Sequence, residues 1–123
     1  MLKKVLLILS ILIFVPCFAN EHKNKSEQGG PVFIYLHTAN CGYCKKVTPN
    51  FNKLAQNNKG ICYFMSVDAD TKDGTVLMMQ FNARYVPYAV LMDTEKQIIK
   101  HVSPDCMLEY ACMDNELKQF VKR

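Results

Sequence analysis

Two cysteines three positions apart, Cys41 and Cys44, stand where an apolar run ends and a helix-patterned segment begins. The run, Val32 to Leu36 (VFIYL), is β-branched and aromatic and predicts a short buried strand. Lys45 to Gln56 carries Val47, Phe51, Leu54 and Ala55 at helical spacing, and Asn57-Asn58-Lys59-Gly60 supplies a helix stop. A sulfur at a helix start faces unsatisfied backbone N–H groups and the positive end of the helix dipole. Both favour the thiolate, the attacking species in disulfide exchange, and Lys45 and Lys46 add positive charge nearby. Cys41, ahead of the helix, is therefore the candidate nucleophile. Cys44, inside the first turn, is the candidate resolving thiol. The active-site loop residues Gly42 and Tyr43 let the two sulfurs meet within disulfide geometry. His37, four residues before Cys41, joins Lys45 as a candidate modulator of the thiolate. The bland alternative for His37 is a strand-end histidine without a role.

Other uses of the pair are weaker. Zinc needs four ligands; Cys62, Cys106 and Cys112 form no second C-x-x-C, and His22, His37 and His101 have no ligand spacing, so no metal site is expected. An inert disulfide across so small a loop would constrain the unfolded chain little. Met78-Met79 invites a copper reading, but core filling is the ordinary use of methionine.

Beyond the first helix, Ile61 to Val67 (ICYFMSV) reads as a second buried strand, Asp68 to Gly74 as a polar loop and Thr75 to Phe81 as a short helix. Tyr88 to Met92 and Gln97 to Val102 flank Asp93-Thr94-Glu95-Lys96 in a hairpin pattern. Ser103-Pro104 opens a last helix, with Ser at the N-cap and Pro at N1, whose apolar stripe is Met107, Tyr110, Met113, Leu117, Phe120 and Val121. The order β-α-β-α-β-β-α, with a parallel crossover first and a hairpin last, predicts an α/β fold: a small mixed sheet flanked by helices. In a continuous helix from Pro104, Cys106 and Cys112 are separated by about 9 Å of rise, beyond disulfide reach. Either that helix breaks near Asp114 or the two are not paired with each other. A Cys62–Cys106 bridge stays open, as does a disulfide-linked dimer through Cys112 of an otherwise monomeric chain.

Composition bounds the remainder. With 123 residues, half of them hydrophobic, the chain has room for one domain and no separate cofactor module. Lys3-Lys4, the apolar run Val5 to Val15 and the small residues Cys17 and Ala19 follow a secretory pattern, with cleavage expected after Ala19. A signal peptide over 1–19, a flexible leader over 20–30 (Glu21 to Gly30 is polar) and a domain over 31–123 follow. The run is shorter than the roughly 20 apolar residues of a membrane span. An uncleaved anchor, or a lipidated Cys17, is the alternative. Export places the domain where disulfides persist, in the bacterial periplasm. Removing the segment lowers the net charge from +4 to +2, weak support for a nucleic-acid partner, and none is expected.

The stretch VFIYLHTANCGYCKKVTPNF, together with Tyr85-Val86-Pro87-Tyr88, resembles the thioredoxin-like family over roughly Val32 to Val121. Pro49, five residues after Cys44, matches the family's helix proline and should kink the helix. Pro87, 43 residues past Cys44, fits the family's cis-proline; the resemblance implies that it faces the sulfurs and that Val86 offers backbone hydrogen bonds to a substrate peptide. Asn40 stands where thioredoxins proper have tryptophan, and Tyr35 where they have a buried acid. Gly42-Tyr43 looks like the dipeptide of periplasmic disulfide isomerases, whose separate dimerisation domain a 104-residue mature chain cannot hold. The resemblance implies an exported thiol–disulfide oxidoreductase that reduces or isomerises disulfides and needs no organic cofactor. Its partners would be cysteine-containing exported proteins and an upstream redox partner. Alternatives are a disulfide-forming oxidase, a non-enzymatic metal-binding or redox-sensing module, and an interaction domain using the Tyr85-to-Tyr88 surface.

Overall fold

A computed structural model describes residues 30–123; the expected signal peptide, Cys17 and all of the expected leader but Gly30 lie outside the described residues. The elements are β1 (Pro31–His37), α1 (Gly42–Asn57), β2 (Tyr63–Asp68), α2 (Lys72–Gln80), β3 (Tyr88–Asp93), β4 (Ile98–Val102), α3 (Pro104–Leu108) and α4 (Tyr110–Lys122). The strands form one mixed sheet in the order β2-β1-β3-β4. β1 and β2 run parallel through the α1 crossover, and the β1–β3 and β3–β4 pairs are antiparallel. The α/β arrangement expected from the sequence is thus the observed one, except that its last helix is two helices.

Alternation along β1 builds two cores. Phe33 and Tyr35 face α1, α3 and α4 with Phe51, Leu54, Met107, Met113, Leu117 and Phe120. Ile34 and Leu36 point to the opposite face, where Leu77 and Met78 of α2 cover them. Phe51 is the hub of the first core: its ring lies 5.0 Å from Tyr35, 5.4 Å from Phe33 and 5.9 Å from Phe64.

Four local expectations are corrected. The Ile61–Val67 stretch forms a strand only from Tyr63, and β2 is partly exposed because it lies at the edge of the sheet. Helix α2 begins three residues earlier than its apolar pattern suggests, because the Thr71 side chain caps it by accepting from the Gly74 N–H (3.1 Å). Met78 is half-buried, but Met79 is 75% exposed and fills no core. The segment after Ser103 breaks at Glu109, whose φ of −108° and ψ of 106° are extended, not near Asp114.

That break resolves the cysteines. It brings the Cys106 and Cys112 Cα atoms to 5.3 Å, and the two form a disulfide. The Cys62–Cys106 alternative is overturned, since Cys62 is a free thiol. Cys112 is bonded to Cys106 within the chain, so a bridge between chains through Cys112 would need that pair opened first. Replacing Cys106 and Cys112 together by Ala is expected to lower the unfolding free energy by roughly 2 kcal/mol, the chain-entropy value for so short a loop. Urea denaturation measures it, and an unchanged midpoint would contradict the expectation.

Candidate active site

Strand register assembles the site at one end of the sheet. Leu36 near the end of β1 pairs with Tyr88 at the start of β3, and His37 with Asp68 at the end of β2. The loop from Thr38 to Cys41 and the segment ending in Pro87 therefore emerge from adjacent strands at the same end. Val102, at the end of β4, pairs with Ala89 and delivers α3 there as well.

Cys41 is the N-cap of α1, with an extended backbone (φ −84°, ψ 106°). The Cys44 N–H donates to Cys41 Sγ at 3.0 Å. This is the orphan N–H of a helix start satisfied by sulfur, and a hydrogen bond to the charged form favours the thiolate. Cys41 and Cys44 are joined as a disulfide, with Cα atoms 5.2 Å apart. Cys41 is partly exposed, whereas Cys44 is 2% exposed. The outer sulfur can meet a partner and the inner one cannot.

The other expected residues fall as follows. Gly42 opens α1 in open space, so close packing does not demand a glycine there. Tyr43 is half-buried, and its hydroxyl donates to Asp105 Oδ1 at 3.0 Å. Lys45 is exposed, and its N–H donates to the Cys41 carbonyl (3.2 Å), continuing the helix from its cap. The His37 ring packs on Tyr35 with centroids 5.1 Å apart and forms no hydrogen bond among the described residues. Pro49 lies inside α1, which continues through it. The Val86–Pro87 bond is cis, Pro87 is buried, and Val86 packs on the second core. Among the described residues no group of three His, Cys, Asp or Glu side chains could hold a metal ion.

Two features escaped the sequence reading. Tyr35, fully buried, directs its hydroxyl to the Cys44 carbonyl (3.2 Å) and shares a hydrogen bond with Thr48 Oγ1 (2.9 Å). Thr48 Oγ1 donates to the same carbonyl at 2.8 Å. Burial pushes the Tyr35 phenol above its usual value, with the Thr48 hydrogen bond opposing, so the acid's position holds a neutral group that ties down the first turn of α1. The second is Asp105, 62 residues from Tyr43 in sequence. Its only sequence signal was its place beside the Ser103 cap.

Cys62 is a different kind of cysteine. Burial pushes its thiol up to about 12, with a backbone hydrogen bond from Phe33 opposing. Its thiolate fraction at pH 8 should therefore be far below that of an ordinary thiol. Iodoacetamide is expected to label Cys62 far more slowly than a free cysteine, and labelling at the ordinary rate would contradict this. The sign also sets a pH window for stability. A thiol raised on folding contributes nothing extra at neutral pH and weakens the native state as pH climbs from about 9 to about 12.

A helix-capping cysteine pair at the end of a mixed sheet, with a cis-proline at the start of the neighbouring strand, is the arrangement of the thioredoxin fold. The thioredoxin family model matches residues 15–119, and the chain belongs to the thioredoxin family. Thioredoxin C-3 of Corynebacterium nephridii is 33% identical over 70 residues, covering 57% of this chain and 46% of that protein. A mitochondrial thioredoxin domain-containing protein of Schizosaccharomyces pombe is 31% identical over 58 residues, covering 47% of this chain and 16% of that protein. The chain thus spans less than half the length of either relative. Among solved structures, oxidised mitochondrial thioredoxin 3 of Saccharomyces cerevisiae superposes with a TM-score of 0.63 at 21% identity, covering 78% of this chain and 84% of that one. That likeness bears on the fold.

Proposed function

We propose that the protein is an exported thiol–disulfide oxidoreductase that reduces or isomerises disulfides of exported proteins through Cys41 and Cys44. The observation that carries the chemistry is the asymmetry of the pair: a partly exposed sulfur at a helix cap, receiving an N–H, beside a buried one. The Cys41 thiolate attacks one sulfur of a substrate disulfide. A Cys41–substrate disulfide forms, and the other substrate sulfur leaves as a thiolate that takes up a proton. Cys44 then loses its proton and attacks Cys41 Sγ. The Cys41–Cys44 disulfide forms, the second substrate thiol departs, and two electrons have moved from the dithiol to the substrate. A dithiol donor must restore the pair before the next cycle. Val86, before Pro87, is the backbone group proposed to pair with the extended substrate segment.

Replacing Cys44 with Ser removes the second step and leaves the first. Mixed disulfides on Cys41 are expected to accumulate with cysteine-containing exported proteins and to be released by dithiothreitol. An extract yielding no trapped species would contradict the division of roles. The apolar segment Val5–Val15 and the small residues Cys17 and Ala19 support export. Expression in a bacterium is expected to give a periplasmic chain beginning at Asn20; an intact chain confined to the cytosol would overturn that part.

A further inference from the structure

The CXXC loop carries one long side chain, Tyr43, and a residue from the far end of the chain holds it. We propose that Asp105 is a positioning residue for the Cys41–Cys44 couple, fixing the loop through Tyr43, and that the Cys106–Cys112 bridge keeps it in place.

The Tyr43 hydroxyl donates to Asp105 Oδ1 at 3.0 Å, joining the first turn of α1, between the two sulfur-bearing residues, to the first turn of α3. Helix α3 is short and sits where it does for identifiable reasons. Ser103 caps it by accepting from the Cys106 N–H at 3.2 Å. Met107 is fully buried in the first core. Asn50 of α1 donates through Nδ2 to the Leu108 carbonyl at 2.9 Å and to that of Met107 at 3.3 Å. The bridge adds a constraint that an unbroken helix could not satisfy: such a helix would hold Cys106 and Cys112 about 9 Å apart along its axis, against the observed 5.3 Å between Cα atoms. The bend at Glu109 thus separates α3 from α4 and leaves α3 docked on α1, with Asp105 towards the loop.

The hydrogen bond is present with Cys41 and Cys44 joined, so it restrains the first turn of α1 in its closed, oxidised geometry and favours the disulfide over the dithiol. Desolvation, then the hydrogen bond and charge of Asp105, raise the Tyr43 phenol above its usual value, consistent with a phenol that donates and stays neutral.

This inference rests on the reading of Cys41–Cys44 as a reversible dithiol couple. The test is equilibration of the full chain with graded dithiothreitol mixtures, followed by alkylation and peptide mapping to read the Cys41–Cys44 pair alone. Asp105→Ala and Tyr43→Phe are each expected to make the pair easier to reduce, shifting the equilibrium constant about two- to tenfold, the range a single hydrogen bond supplies. A tenfold shift corresponds to about 30 mV. Asp105→Asn keeps an acceptor oxygen and should return towards the parent value, and the Asp105→Ala/Tyr43→Phe double variant should shift by less than the sum of the singles. An unmoved constant in Asp105→Ala, a shift in the opposite direction, an Asp105→Asn shift as large as that of Asp105→Ala, or full additivity overturns the proposal. Thermal unfolding is followed alongside, because a merely structural role would lower the melting temperature without moving the constant. Cys106→Ala/Cys112→Ala should shift the constant in the same direction, and an unmoved constant there overturns the bridge's part. A Cys41–Cys44 pair that does not cycle defeats the functional reading instead; a cycling pair indifferent to Asp105 defeats this one only.

Discussion

Replacing Cys41 with Ser is expected to abolish catalysed disulfide reduction, leaving insulin turnover at the rate of the uncatalysed thiol mixture. Cys41 is the partly exposed sulfur at the helix cap, and the Cys44 N–H that donates to it marks where a thiolate is stabilised. A serine hydroxyl in the same place titrates far above neutrality and is a poor attacking group under these conditions. Cys44 cannot take over, because it is 2% exposed and held within the first turn of α1. The loss should therefore be of turnover, with thermal stability changed little beyond that of removing the small Cys41–Cys44 loop. Retained turnover would remove Cys41 from the mechanism.

The largest loss of stability should come from Phe51→Ala. Phe51 is 2% exposed and meets Phe33, Tyr35 and Phe64, so it locks α1, and with it the cysteine cap, onto β1 and β2. Truncating a buried phenylalanine costs about 3–5 kcal/mol from lost transfer energy and the cavity left behind. Domains of this size are stable by only about 5–15 kcal/mol. The variant should accordingly unfold at a much lower urea concentration. A cost below about 1 kcal/mol would mean that the aromatic cluster does not hold α1 in place.

Much of the fold was legible because local pattern and tertiary role agree. Val32–Leu36 alternates between two buried faces and is one of the two inner strands, so its uniform apolarity is a true signal of burial. Tyr63–Asp68 has a similar composition but lies at the sheet edge, and composition cannot say which strand is outermost. The last helix misled for a related reason. Its stripe from Met107 to Phe120 keeps helical spacing on both sides of Glu109, so the apolar pattern runs through a break made by one extended residue and a disulfide. The reactive pair was legible since strand, cap and helix are contiguous there. Tyr35 over Cys44 and Asp105 against Tyr43 were not, because those contacts join residues distant in sequence, and only the sheet register and the docking of α3 bring them together.

The most direct test of the central claim is the order in which the two reduced sulfurs react. The chain is reduced under conditions that open Cys41–Cys44, pulsed with a limiting amount of iodoacetamide between pH 5 and 9, and the labelled sites are mapped. Cys41 is expected to be labelled first, with an apparent pKa below the ordinary thiol value of about 8.5, while Cys44 stays protected until the chain unfolds. Cys44 labelled first, or Cys41 titrating like an ordinary thiol, would contradict it.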